Sequence, residues 1–123
     1  MTASSIDRPA SDLVTIDVSA IGPAVRLTAT GEIDSTSAPV LRDRLEALLD
    51  AGVDEITVDL AGVTFLDSAG LCVLAAAYRR ATAGQRRIRV LASSRAVIRP
   101  LQITGLWDLL RVEKIAPGAG TAA

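Results

Sequence analysis

The chain has 123 residues, 50% of them apolar, a net charge of −1, no histidine and one cysteine, Cys72. That is enough for one domain with one core. With Phe65, Tyr78 and Trp107 as the only aromatics, the core must be aliphatic. The absence of histidine excludes a Ser-His-Asp triad, a histidine-ligated zinc site and a histidine phosphocarrier, and a lone cysteine excludes an intrachain disulfide or a cysteine metal cluster.

Cys72 reads as a small core residue. Both signs of charge read as scattered, which leaves no footprint for nucleic acid or an anionic membrane. No apolar run approaches the roughly twenty residues of a membrane span and no signal-peptide pattern opens the chain, so a cytoplasmic protein is expected.

In chain order, residues 1–11 are polar and aperiodic and predict a flexible arm. Val14, Ile16 and Val18 alternate, Ile21-Gly22-Pro23-Ala24 reads as a turn, and Val25, Leu27 and Ala29 alternate again, which predicts a β-hairpin. Gly31-Glu32-Ile33-Asp34 ends the second strand. Ser35-Thr36-Ser37 before Pro39 is a helix-start signal, and Leu41, Leu45, Leu48 and Leu49 recur at helical spacing until Gly52. Ile56, Val58 and Leu60 predict a third strand, followed by a short connection carrying Thr64 and Phe65.

The next helix is apolar almost all round from Leu71 to Ala77, which predicts cover on more than one side, with Gly84 as its stop. Ile88, Val90 and Ala92 form a fourth strand. Ser93 or Ser94 caps a further helix that Pro100 limits or kinks and Gly105 ends. Leu106–Ile115 adds a helical turn and a short extended piece, and residues 116–123 form a flexible tail. The pattern predicts an α/β fold: a single domain over residues 12–115, with a mixed sheet of four to five strands and helices packed on it.

The chemically distinctive stretch is Asp67-Ser68-Ala69-Gly70-Leu71, where a long helix begins. The first four N–H groups of a helix lack intrahelical partners, and Asp67 or Ser68 can cap them. The same geometry presents a hydroxyl beside the positive end of the helix dipole, where a phosphate is tolerated. Gly70 reads as room for close approach by a partner or a neighbouring loop. On spacing alone, capping is the simpler reading.

Other chemistries find no support. Leu66-Asp67-Ser68-Ala69-Gly70 lacks the first glycine of a nucleophile elbow, and no phosphate-binding Gly-rich loop is present. Asp34, Asp59 and Asp67 form a magnesium site only if they converge, and separate strand-end or capping roles are the commoner outcome. No catalytic residue, cofactor or metal is assigned, and no enzyme is expected.

Three segments carry a family resemblance: Thr30-Gly31-Glu32-Ile33-Asp34; Val58-Asp59-Leu60 with Val63-Thr64-Phe65-Leu66-Asp67-Ser68-Ala69-Gly70-Leu71; and Ile103-Thr104-Gly105-Leu106. In this order and spacing the chain, from about Leu13 to Val112, resembles STAS domains of the bacterial anti-sigma factor antagonist type. The resemblance implies that Ser68 is a phosphoacceptor and that Asp34, Asp67, Ser68, Ala69, Gly70 and Leu71 belong to the partner-binding surface. It also implies two partners, an anti-sigma factor with serine kinase activity and a PP2C-type phosphatase. The unphosphorylated form would bind the anti-sigma factor and free the sigma factor, and phosphorylation would end that complex. Neither nucleic acid nor membrane is an expected partner, and a monomer or weak dimer is expected. The alternatives are a STAS adaptor of a transport or signalling assembly that is never phosphorylated, and a nucleotide-binding protein.

Overall fold

Val14–Ile21 (β1) and Ala24–Ile33 (β2) form the expected antiparallel hairpin, turned by Gly22 and Pro23. Gly22 has a φ of +62°, a conformation that tight hairpin turns demand and that a residue without Cβ adopts at little cost. The register pairs Ile16 with Ala29 and Val18 with Leu27, placing these four on one face. The computed structural model describes residues 13–116. The arm expected at residues 1–11 and, beyond Ala116, the expected tail lie outside the described residues.

After β2 the chain runs through α1 (Ala38–Asp50), β3 (Glu55–Leu66), α2 (Ser68–Ala83), β4 (Arg87–Ala92), α3 (Arg95–Ile103), the short α4 (Leu106–Leu109) and β5 (Glu113–Lys114). The sheet order is β1-β2-β3-β4-β5, antiparallel between β1 and β2 and parallel thereafter. Each parallel strand adds on the same side of the last, so right-handed crossovers lay the helices on one face of the sheet. The chain is thus an α/β domain with a mixed five-stranded sheet.

The core is aliphatic, as the composition requires. Leu41, Leu45 and Leu49 of α1 point into it with Leu27, Ile33, Ile56, Val58, Leu74 and Leu101. Each such side chain contributes about 1.5–3 kcal/mol through burial. Phe65 is 46% exposed, and Tyr78 and Trp107 are only partly buried against the core.

β3 does not end at Leu60; Thr64 and Phe65 belong to the strand and not to a connection. From Thr28 to Thr30 of β2 the partners advance from Asp59 to Gly62, and from Gly31 to Glu32 they advance from Val63 to Phe65. Each step inserts an extra residue into β3, a bulge. The core-facing positions therefore pass from Ile56, Val58 and Leu60 to Val63 and Leu66, and the period-two pattern is lost. Asp59 secures the first bulge: buried, it accepts the Ala61 N–H at 2.9 Å and pairs with Arg26 at 2.6 Å.

α2 packs on β3 and β4 and along α1, and only its outer face is open. Gly70, Leu71, Leu74, Ala77 and Ala81 are buried, while Ala76 is exposed and Cys72 is an exposed free thiol, not a core residue. The cover expected on more than one side is thus supplied by the sheet and α1, and residues as small as alanine and cysteine add little apolar surface on the outer face that stays open. In α3, Pro100 lies inside the helix and does not end it. Ser94 stands at the N-cap position without capping: its hydroxyl donates to the Val63 carbonyl at 3.0 Å, and that of Ser93 to Ala61 at 3.2 Å. Both serines tie β4 to the bulged part of β3.

Candidate functional site

The site is built where β2 and β3 end side by side. Ile33 pairs with Leu66, so the next residues, Asp34 and Asp67, leave neighbouring strands together, and the Asp67 N–H donates to the Ile33 carbonyl at 3.1 Å. An Asp-Ser pair occurs at each strand end, Asp34-Ser35 and Asp67-Ser68. In each, one carboxylate oxygen accepts the amides two and three residues ahead.

At β3 that oxygen, Oδ1 of Asp67, takes the N–H of Ala69 at 2.9 Å and of Gly70 at 3.4 Å. Asp67 is thus the N-cap of α2, with an extended backbone at φ −107° and ψ −169°, and it satisfies donors that the helix leaves free. Ser68 follows as the first helical residue. It is exposed, and among the described residues its hydroxyl has no hydrogen-bond partner. Of the two candidates for the cap, Asp67 performs that role and the Ser68 oxygen is uncommitted.

At β2, Oδ1 of Asp34 accepts the Thr36 amide at 2.8 Å, the Thr36 hydroxyl at 2.7 Å and the Ser37 amide at 3.1 Å. The Thr36 hydroxyl, followed by the two amides, holds the Asp34 carboxyl below its ordinary value, because these donors favour the charged form. Ser37 is buried at the N-cap position of α1 but does not cap the helix. Its hydroxyl donates to the Glu32 carbonyl at 2.8 Å and accepts the Asp34 N–H at 2.9 Å. The loop is therefore fixed from within and keeps the Asp34 charge at the end of the sheet where Ser68 stands.

The residues expected at the partner surface divide. Asp34, Asp67 and Ala69 are partly exposed and Ser68 fully so, whereas Gly70 and Leu71 are buried. A Cβ on Gly70 would lie 2.4 Å from Leu66 Cδ1 and 2.8 Å from Ile33 Cγ2. The space at Gly70 is thus taken by the domain's own strands and not left for a partner or a loop. Ala69 instead lines an open, largely apolar groove of about 390 Å³ between α1 and α2, with Ser35, Pro39, Cys72, Val73 and Ala76. This groove has no signature in the sequence, because small residues on a helix signal neither burial nor exposure.

Asp34, Asp59 and Asp67 do not converge: the first holds a loop, the second pairs with Arg26 and the third caps a helix. Among the described residues no group of three or more His, Cys, Asp or Glu is placed to hold a metal ion. No described helix is long and apolar enough to cross a membrane.

Comparison with known proteins places this arrangement. The family model described as Mlab, STAS domain, matches residues 10–111. The chain belongs to the STAS family. Another similar protein is the anti-sigma-B factor antagonist of Bacillus subtilis, 30% identical over 105 residues, which are 85% of this chain and 95% of that protein. Among solved STAS-like structures, an anti-sigma factor antagonist from Mycobacterium paratuberculosis superposes with a TM-score of 0.79 at 31% identity, covering 93% of this chain and 97% of its own. The antagonist SpoIIAA shares the fold in its unphosphorylated form, with a TM-score of 0.71, 19% identity and coverage of 87% and 93%. In its phosphorylated form the values are 0.67, 17%, 87% and 96%.

Proposed function

We propose that this STAS domain is an anti-sigma factor antagonist switched at Ser68. Unmodified, it binds an anti-sigma factor and so releases the sigma factor; phosphorylated on Ser68 by that anti-sigma factor acting as a serine kinase, it dissociates; a PP2C-type phosphatase restores it. The observation that carries this reading is the division of labour at the start of α2, where Asp67 caps the helix and leaves the Ser68 hydroxyl exposed and, among the described residues, unbonded. The names of the Bacillus subtilis and mycobacterial relatives support the role, and the existence of SpoIIAA in both phosphorylation states supports the switch.

The chemistry works without a change of fold. Transfer of a phosphoryl group to Ser68 Oγ, with loss of the hydroxyl proton, places roughly −1.5 to −2 charges at one point. The positive end of α2 tolerates that charge. The Ala69 and Gly70 amides are already engaged by Asp67, so the phosphate gains little from them, and the carboxylates of Asp67 and Asp34 repel it. A partner surface formed around a neutral hydroxyl must then desolvate a dianion. A loss of about 2–3 kcal/mol weakens a complex roughly a hundredfold.

The test is incubation with candidate kinase-type anti-sigma factors and ATP, followed by phosphosite mapping. The expected result is stoichiometric phosphate on Ser68, none in Ser68→Ala, and an unmodified complex that Ser68→Asp weakens about a hundredfold and Ser68→Ala preserves. Stable binding to such a factor without phosphate would sink the switch and leave a constitutive adaptor. Equal affinity of the Asp and Ala variants would sink the electrostatic mechanism.

A further inference from the structure

The charges of this chain are segregated, contrary to their reading as scattered. Residues 13–85 carry ten carboxylates against five arginines, whereas residues 86–116 carry seven cations against two carboxylates. The second stretch supplies β4, α3, α4 and β5, and β4 with β5 forms one edge of the sheet. That edge is cationic in a protein of net charge −1.

The edge is also incompletely paired. β5 has two residues and pairs only with Leu91 and Ala92, so Arg87, Ile88 and Arg89 have β3 on one side and, among the described residues, no strand on the other. The N–H and C=O of one strand residue point to the same side, and the side alternates along the strand. The Ile115 N–H donates to the Ala92 carbonyl, so Ala92 faces β5; Ile88, four residues earlier, turns both its backbone donor and its acceptor to the open edge. A cleft of about 520 Å³ lies there, bounded by Tyr78, Thr82 and Leu110 as well as by Arg87, Arg89 and Arg111, with Glu113 its one carboxylate. Arg89 is held by Glu113 at 2.8 Å, while Arg87 and Arg111 pair with no carboxylate among the described residues.

We propose that this open edge of β4 docks an extended acidic segment of a partner protein, which adds beside Arg87–Arg89 as a short strand. A polypeptide is favoured over a lipid headgroup or a nucleic-acid backbone because Ile88 offers a donor and an acceptor together, and phosphate oxygens only accept. Side chains of an added strand alternate between faces. One set meets Arg87 and Arg89 and should be acidic; the other meets Ile88, Leu110 and Tyr78 and should be apolar. Tyr78 and Thr82 lie towards the end of α2 remote from Ser68, so the site is independent of the switch.

The probe is a short fluorescent peptide of alternating Glu and Leu, followed by anisotropy, with amide hydrogen exchange on the complex. We expect saturable binding, slowed exchange at Ile88, a loss of about tenfold or more in affinity in the double variant Arg87→Glu/Arg111→Glu, and no change in Ser68→Asp. Absence of saturable binding, equal affinity of the double variant, or preference for anionic vesicles or duplex DNA over the peptide would each overturn the proposal. Should the double variant not fold, the wild-type affinity must fall as ionic strength rises from about 0.05 to about 0.5 M; an unchanged affinity overturns the proposal equally.

Discussion

The two Asp-Ser pairs at the ends of β2 and β3 start from the same chemistry and reach different outcomes. Asp34 and Asp67 each accept the amides two and three residues ahead. At β3 the helix begins at once, so Ser68 is locked into its first turn with the hydroxyl outward. At β2 a turn intervenes and α1 begins only at Ala38; the Thr36 and Ser37 hydroxyls are spent on Asp34 and Glu32. Ser35 is exposed, but in that turn and not on a helix. Residue type and preceding residue are the same, and among the described residues neither hydroxyl is bonded, so what separates Ser68 from Ser35 is the backbone that carries it: the first turn of a helix against a turn.

The largest expected effect is the most direct break of this comparison. Phosphate incorporation by the cognate anti-sigma factor should vanish in Ser68→Ala and persist in Ser35→Ala. Equal incorporation into both single variants would show that the two strand ends are equivalent to the kinase. The next effect concerns the positions three residues beyond each aspartate, both buried, where α1 has room for Ser37 and α2 has none beyond Gly70. Gly70→Ala drives a methyl group against Leu66 and Ile33. Overpacking costs about 1–3 kcal/mol, only partly offset by the roughly 1 kcal/mol that alanine gains in helix propensity. A denaturant midpoint lowered at unchanged slope is the expected result, and an unchanged midpoint would mean that both side chains yield freely.

How much of this was legible beforehand depends on whether local pattern and tertiary role coincide. The hairpin, α1 and the start of α2 were legible because their alternation, helical spacing and breakers belong to single elements. The second half of β3 was not, because two bulges remove the alternation from Ala61 to Phe65 and only the pairing with β2 reveals a strand. The exposure of Cys72 and Ala76 is not legible, because small apolar residues fit either face of a helix. Gly70 suggests room for a partner or a neighbouring loop, but the space it leaves belongs to Leu66 and Ile33, residues that sequence alone does not bring to the helix. The sequence allows Asp67 or Ser68 as the cap of α2, and the distances to Ala69 and Gly70 assign it to Asp67. The charge segregation was present in the sequence, but the net charge conceals it, and its meaning depends on β4 and β5 sharing an edge.

A smaller effect sharpens the comparison at the cap. Asp67→Ala removes the acceptor for two amides of α2 and should cost about 1 kcal/mol, while Asp67→Asn, which keeps an acceptor oxygen, should lose much less. The separation matters for the switch: if Asp67→Ala leaves the fold intact, phosphorylation of Ser68 in that variant meets one fewer negative charge and newly freed amides. Its phosphorylated form should then retain more affinity for the anti-sigma factor than the phosphorylated wild type. Identical release would indicate that the partner's own surface supplies the repulsion.

The smallest effect is a pH dependence confined to the β2 end. Donors from Thr36 and Ser37 hold the Asp34 carboxyl below its ordinary value of 3.8. A pKa lowered in the folded state stabilises the fold fully above the unfolded value and ceases to do so as pH falls through the folded one. Asp34→Asn imitates the protonated side chain. The wild type should melt slightly higher than this variant above about pH 5, and the gap should close as pH is taken below about 3.8. A gap that persists undiminished into acid would mean that it does not come from the Asp34 charge, and no gap at any pH would mean that Thr36 and Ser37 need only an acceptor oxygen there. If the gap closes as expected, Asp34 is ionised throughout the neutral range, and a phosphate arriving on Ser68 always meets its fixed negative charge.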